Sequence, residues 1–205
     1  MRRTLAVFAA AALSISIFSS TSFAAGFSLP DQDAAAMGMA NAFTGQADNP
    51  AAVWYNPAGI TQLDGTQVSG GIIGIYPVFT HENNDGTTDV AKRDIALPFV
   101  LFGTNKVNDR LSLGLGITSP FGLSARWSDA SKTRYVATYS NLETVNVNPN
   151  IAYRVNDDLS LALGIDYVHA RATLEKTVNL GGPSPDFDRN FRLSGDGDGW
   201  GANIA

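Results

Sequence analysis

The chain has 205 residues, 44% hydrophobic and 16% charged, with twenty glycines and no cysteine. That excludes a disulfide scaffold, cysteine-ligated zinc or iron–sulfur chemistry and thiol catalysis. With 14 Lys and Arg against 19 Asp and Glu, the net charge of −5 leaves no basic footprint for nucleic acid.

Arg2 and Arg3, the apolar run from Thr4 to Phe18 and the small residues up to Ala25 read as a signal peptide over 1–24. Ser22-Phe23-Ala24 serves as its cleavage site, and a retained N-terminal anchor is the alternative. Residues 25–66 do not read as strand. Ala34 to Ala40 suggests a short helix, and the remainder is rich in Gly, Pro and Asn.

From residue 67 onward the pattern has period two. Strands are expected near Gln67–Thr80, Asp94–Thr104, Arg110–Ser119, Leu142–Val155 and Leu159–Leu174, with another starting near Gly199. Loops are expected over His81–Arg93, Phe121–Asn141 and Glu175–Asp198. Leu111, Leu113, Leu115 and Ile117 alternate with Ser112, Gly114, Gly116 and Thr118, which sorts the two sets onto opposite strand faces. The stretch Val107-Asn108-Asp109-Arg110-Leu111 recurs 48 positions later as Val155-Asn156-Asp157-Asp158-Leu159. Each Asn-Asp pair supplies a tight turn that launches a strand. Short turns at one end and longer loops at the other fit an outer-membrane barrel. A soluble β-sandwich gives the same alternation, but its polar face is rich in Lys and Glu, whereas Asn, Ser, Thr and Gly predominate here. Tyr153 and Tyr167 suit the two membrane interfaces. Five to six strands cannot close a barrel, so the chain is expected to be the N-terminal part of a longer one.

Several segments together resemble the FadL/TodX family of outer-membrane transporters. They are Ala25-Gly26-Phe27, Asn56-Pro57-Ala58-Gly59-Ile60-Thr61, Ile117 to Leu123, Leu142 to Pro149 and Ala152 to Asn156. The resemblance implies an all-β fold, a transmembrane antiparallel β-barrel, 14-stranded in the family, plugged by an N-terminal hatch. This chain would supply the hatch over 25–66 and the first strands over 67–205. The resemblance further implies binding of a hydrophobic small molecule, a long-chain fatty acid or an aromatic hydrocarbon, in a barrel pocket, with lateral release into the membrane. It implies no enzyme activity, no cofactor and no metal. Its implied partners are outer-membrane lipid and the barrel assembly machinery, with a monomer when complete.

By the same resemblance the hatch N-terminus reaches the pocket with Phe27, Gly26 belongs to the hatch and lateral gate, and Asn56, Pro57 and Ala58 form the hatch motif beside a wall opening. Phe27 alternatively pins the plug as a core aromatic. The hatch motif is alternatively a simple turn, since Asn49-Pro50-Ala51 repeats the tripeptide. Pro120 and Gly122 mark where the third strand is expected to bend and the wall to open, because proline breaks ladders and glycine marks bulges. On the plainer reading that strand ends at Ser119. Lys176 matches a position that is basic in fatty-acid members and suits a substrate carboxylate; it is otherwise a solvated loop lysine. The short Glu175–Asp198 loop leaves room for a hydrocarbon substrate.

Other functional classes find less support. Asp186, Asp188, Asp196 and Asp198 do not have EF-hand spacing. His81 and His169 have no nucleophile-elbow serine for an outer-membrane hydrolase. A structural or adhesive barrel would need no hatch.

Overall fold

The computed structural model describes residues 28–182 and 185–205. The expected signal peptide, Gly26 and Phe27 lie outside the described residues. The chain first forms small helical turns. Asp33 accepts from Ala36 N at 3.0 Å and caps α1 (Ala34–Gly38). Each Asn-Pro step then opens a helical turn: Asn49-Pro50 precedes α2 (Ala52–Tyr55), and Asn56-Pro57 opens a 3-10 turn (Pro57–Gln62).

The strands follow: β1 (Thr66–Ile72), β2 (Thr80–Glu82), β3 (Thr88–Val90), β4 (Phe99–Lys106), β5 (Leu111–Thr118), β6 (Gly122–Arg126), β7 (Tyr139–Arg154), β8 (Ser160–Asn179) and β9 (Asp188–Ile204). One antiparallel sheet runs β1-β4-β5-β7-β8-β9, with β6 continuing the line of β5 along β7, and β2-β3 form a separate hairpin. The repeat seen in the sequence is built as expected. Val107 N donates to Leu111 O and Val155 N to Leu159 O, both at 2.9 Å. Asn108 Oδ1 accepts from Arg110 N and Leu111 N at 2.9 Å each, an Asx turn that fixes the hairpin.

Register sorts the faces as the alternation requires. Leu113 pairs with Ile151 and Tyr153 with Leu161, all exposed on the outer face. On β7 the outward apolar run from Tyr153 to Val145 gives way to Glu143. It spans roughly 27 Å at the usual strand rise, close to the roughly 25 Å apolar band of an outer-membrane barrel. Tyr167 and Trp200 pack on the same face with ring centroids 4.9 Å apart, an aromatic pair at the band's edge. On the inner face lie buried Ser112, Thr118, Asn146, Asn148 and Asn150.

The core sits between that inner face and the hatch, not between two sheets. Val53 and Ile60 pack against β5, where a Cβ at Gly114 would come within 2.7 Å of Val53 Cγ2 and 3.0 Å of Ile60 Cδ1. Phe102 on β4, Ala152 on β7 and Ala162 on β8 complete the contact. The hatch is fastened at one end by Arg154, whose Nη2 donates to Thr61 O at 2.6 Å. Thr61 Oγ1 and Ser160 Oγ lie 2.9 Å apart beside it.

Two expected loops contain strand. The stretch Glu175–Asp198 is strand over most of its length, since β8 reaches Asn179 and β9 begins at Asp188. Gly195-Asp196-Gly197-Asp198-Gly199 is therefore extended. Glycine and aspartate have low intrinsic strand preference, but the register with β8 pairs every one of these residues, and tertiary pairing overrides the preference. Lys176 is accordingly a strand residue opposite Phe191, not a loop residue. The Phe121–Asn141 stretch contains β6 and a 3-10 turn (Lys132–Tyr135).

Candidate functional site

The third wall strand is broken between Thr118 and Gly122. Thr118 pairs with Asn146 and Gly122 with Glu143, so three intervening residues oppose two on β7. That single extra residue is a bulge and it reverses the facing: Thr118 looks inward before it, and the odd-numbered Leu123 shares a face with inward Leu142 after it. Proline at 120 has no N–H to give a ladder, and the remaining polar groups are satisfied from elsewhere. Thr144 Oγ1 donates to Phe121 O at 2.6 Å, with Phe121 N 2.9 Å from the same oxygen. Leu29 N donates to Pro120 O at 2.8 Å, and Gln32 Nε2 to Ser119 O at 3.1 Å. Ser28 bridges to Phe121. The start of the described hatch is thus laid against the break.

Beside the break the wall is unpaired. Residues of β4 and β5 are bonded up to Leu101 and Ile117, and the two lines meet again only at the Lys92–Arg126 bridge. Between those points, among the described residues, 93–100 and 118–125 form no backbone pair with each other. A cavity of about 530 Å³ lies there, lined by Ile95, Leu97, Phe121 and Leu123 from the wall and Leu29 from the hatch, with Asp94, Asn141 and Glu143 among its polar lining. Gly122 packs closely on the hatch: a Cβ there would lie 3.0 Å from Leu29 Cδ1, a contact the leucine's end would have to yield to.

A second cavity, about 660 Å³, opens on the lumen side of the same break. Asn56 and Pro57 line it with Pro120 and Phe121, so the structure brings the hatch motif and the strand break to one space. Its opposite wall is polar: Asn146, Asn148, Asp166 and Asn203. Asp166 accepts from Asn146 Nδ2 at 2.9 Å and from Asn203 Nδ2 at 3.0 Å. Asn56 does not cap the broken strand; its Nδ2 donates to Thr44 O at 2.9 Å inside the hatch. Ala58 is buried, and its carbonyl accepts from Thr61 Oγ1 at 3.0 Å. Lys176 stands apart from both cavities, on the same face of β8 as Leu174, Ala172 and Ala170.

The sequence reading missed Leu29, Gln32, Thr144 and Asp166. Thr144 and Asp166 were visible only as positions in an alternating strand. Leu29 and Gln32 carried no local signal, because their partners lie some ninety residues away.

The outward loops are held by carboxylates. Ser131 Oγ and Lys132 N donate to Asp89 at 2.8 and 3.0 Å, Lys132 Nζ pairs with Asp85, and Tyr135 Oη donates to Asp188 at 3.0 Å. Hydrogen bonds from Lys132 and Thr87 hold Asp85 well below the usual carboxylate range, and the Ser131 hydroxyl lowers Asp89. For Asp188 desolvation pushes upward, but donors from Asn179, Tyr135 and Arg134 outweigh it and its carboxyl is lowered.

Comparison with known proteins fits this geometry. Residues 15–201 match the family described as outer membrane protein transport protein (OMPP1/FadL/TodX). The chain belongs to the OMPP1/FadL/TodX family. It is similar to the long-chain fatty acid transport protein of Escherichia coli O6:H1, at 31% identity over 188 residues covering 89% of this chain and 42% of that protein. The chain thus spans about two-fifths of that curated relative's length. Among solved structures, a Pseudomonas aeruginosa FadL homologue superposes with a TM-score of 0.67 at 21% identity, over 88% of this chain and 49% of the other. The Ralstonia pickettii toluene transporter TbuX superposes at 0.51 and 18% identity, over 76% and 48%. These likenesses establish the fold: the sheet is part of a FadL-type outer-membrane β-barrel, and the protein is a Gram-negative outer-membrane protein.

Proposed function

We propose that the complete protein carries hydrophobic small molecules, long-chain fatty acids or aromatic hydrocarbons, through the outer membrane by a pocket above the hatch and lateral release. The carrying observation is the unpaired stretch of wall between 93–100 and 118–125, whose cavity is lined mainly by apolar side chains, Leu29 of the hatch among them, with Asp94 and Glu143. An apolar molecule gains nothing by entering water, and about 0.8 kcal/mol per CH₂ favours its passage into lipid. Residues 25–66 act as the hatch, following removal of 1–24. Phe27 is the hatch residue that reaches the substrate, and Gly26 belongs to the gate. Asn56, Pro57 and Ala58 hold the hatch side of the gate, and Pro120 and Gly122 its wall side. Lys176, with its apolar neighbours on one face of β8, suits a substrate carboxylate. The protein is assembled into lipid by the barrel assembly machinery and works as a monomer without catalysis, in keeping with relatives that are transport proteins.

Uptake of labelled oleate and labelled toluene, in cells with and without the complete gene, tests this. The gene is expected to raise uptake of at least one of the two several-fold. Identical uptake with and without it contradicts the proposal.

A further inference from the structure

Three asparagines of the lumen wall carry a buried side-chain oxygen that has no hydrogen-bond partner among the described residues: Asn146 and Asn150 on β7 and Asn203 on β9. Asn146 is 2% exposed and Asn150 5%. Such atoms are rare in a folded protein, because each has lost its hydration without a replacement. Their orientation is fixed, since the amide nitrogens of the row are already committed. Asn146 and Asn203 donate to Asp166 at 2.9 and 3.0 Å, and Asn150 donates to Asn148 Oδ1 at 2.5 Å. An amide whose nitrogen is held on one side turns its oxygen to the other.

Two of these oxygens meet over one residue. Register places Asn150, Gly164 and Asn203 side by side on β7, β8 and β9. A Cβ at Gly164 would collide with Asn150 Oδ1 and come within 2.6 Å of Asn203 Oδ1, so the glycine leaves room for both oxygens at one spot. Asp166, two residues along β8 on the same face, adds a carboxylate bonded to Asn203 itself. It lines the lumen cavity with Asn203, and no Lys, Arg or His lines that cavity among the described residues. The group is therefore all acceptor, with one negative charge and space for water beside it. No three His, Cys, Asp or Glu side chains gather among the described residues, which does not suit zinc or another metal that seeks nitrogen and sulfur.

We propose that Asn150, Asn203 and Asp166 bind a hard cation, calcium, with water from the lumen cavity completing its shell. Amide and carboxylate oxygens are the ligands calcium takes, and a single charge sets the affinity at the weak end, about 10⁻⁴–10⁻³ M. The bound ion cross-ties β7, β8 and β9 and cancels the charge of Asp166 on the cavity wall. Its test does not depend on which compound is transported.

Terbium is a calcium-sized ion that luminesces when excited through a nearby tryptophan, and Trp54 lines the same cavity. The complete protein, in detergent and free of lipopolysaccharide, is titrated with terbium and then with calcium. Sensitised emission that calcium displaces is expected. Asp166→Asn should weaken terbium binding about tenfold. Trp54→Phe should lower the emission, and Trp127→Phe, on the outward loops, should leave it unchanged. Calcium should also raise the urea midpoint of the wild type and not that of Asp166→Asn. Emission that survives Trp54→Phe but is lost in Trp127→Phe places the ion on the outward carboxylates and overturns the site. Undiminished binding in Asp166→Asn overturns it as well. No emission at all does the same, by showing that water or a donor from the rest of the barrel fills the space. The two tryptophan variants keep the carboxylate, so they decide the matter even where Asp166→Asn does not fold.

Discussion

Asn148 shows how a single side chain keeps this sheet intact inside lipid. Pro149 sits in the middle of β7, where it offers no N–H to β8. The β7–β8 pairing accordingly skips from Val147–Tyr167 to Asn150–Gly164. The carbonyl left over, Ile165 O, accepts instead from Asn148 Nδ2 at 2.9 Å, and Asn148 is buried. An unpaired backbone carbonyl at this depth has no water to turn to. Asn148→Ala is therefore expected to cost the complete barrel about 1–3 kcal/mol. Adding Pro149→Ala, which restores the missing N–H, should recover most of that loss. Urea unfolding of the single and double variants in lipid vesicles checks this, and an uncoupled, additive pair would contradict it. Residue identity alone announced Asn148 only as a polar lumen position. Its bond depends on the register with β8, which local sequence does not state.

Elements were legible where one face met lipid and the other did not. The leucines of β5 and β8 declared their strands, and the Asn108 and Asn156 turns declared their hairpins, because both signals are local. β9 was not legible beyond its end, since its Gly-Asp alternation looks like loop until the long ladder with β8 is known. The seats that Gly114 and Gly116 make for Val53 were hidden for the same reason: they join residues of the hatch and wall that only the fold brings together. The outward loops supply a prediction at this scale. Asp85, Asp89 and Asp188 are all lowered by the donors that tie the 127–138 segment down. A carboxyl with a depressed folded value adds stability that is full above its ordinary value and is lost as pH falls through the depressed one. The segment should keep its hydrogen-exchange protection at neutral pH and lose it progressively below about pH 3.9. Protection that is constant down to pH 2 would show that these carboxylates do not hold the loops.

At the scale of the molecule, the hatch and the wall form one device. The extra residue at 119–121 breaks the third strand, the hatch segment carrying Leu29 and Gln32 satisfies the break, and a largely apolar cavity lies at the unpaired wall beside it. Pro120 and Gly122 marked the break in the sequence. The gap between 93–100 and 118–125 was not visible there, because it consists of pairs that fail to form between distant segments. In the proposed function substrate leaves through this gap. The chain has no cysteine, so a reactive pair is easily introduced. Leu97→Cys and Leu123→Cys place thiols on the two sides of the cavity, and a short bis-maleimide can span them. Uptake of the transported compound by the cross-linked double variant of the complete protein, against the two single variants treated alike, is the measurement to make. Cross-linking is expected to reduce uptake to the level of cells lacking the gene while ligand binding persists; undiminished uptake through a sealed gap would show that substrate leaves elsewhere.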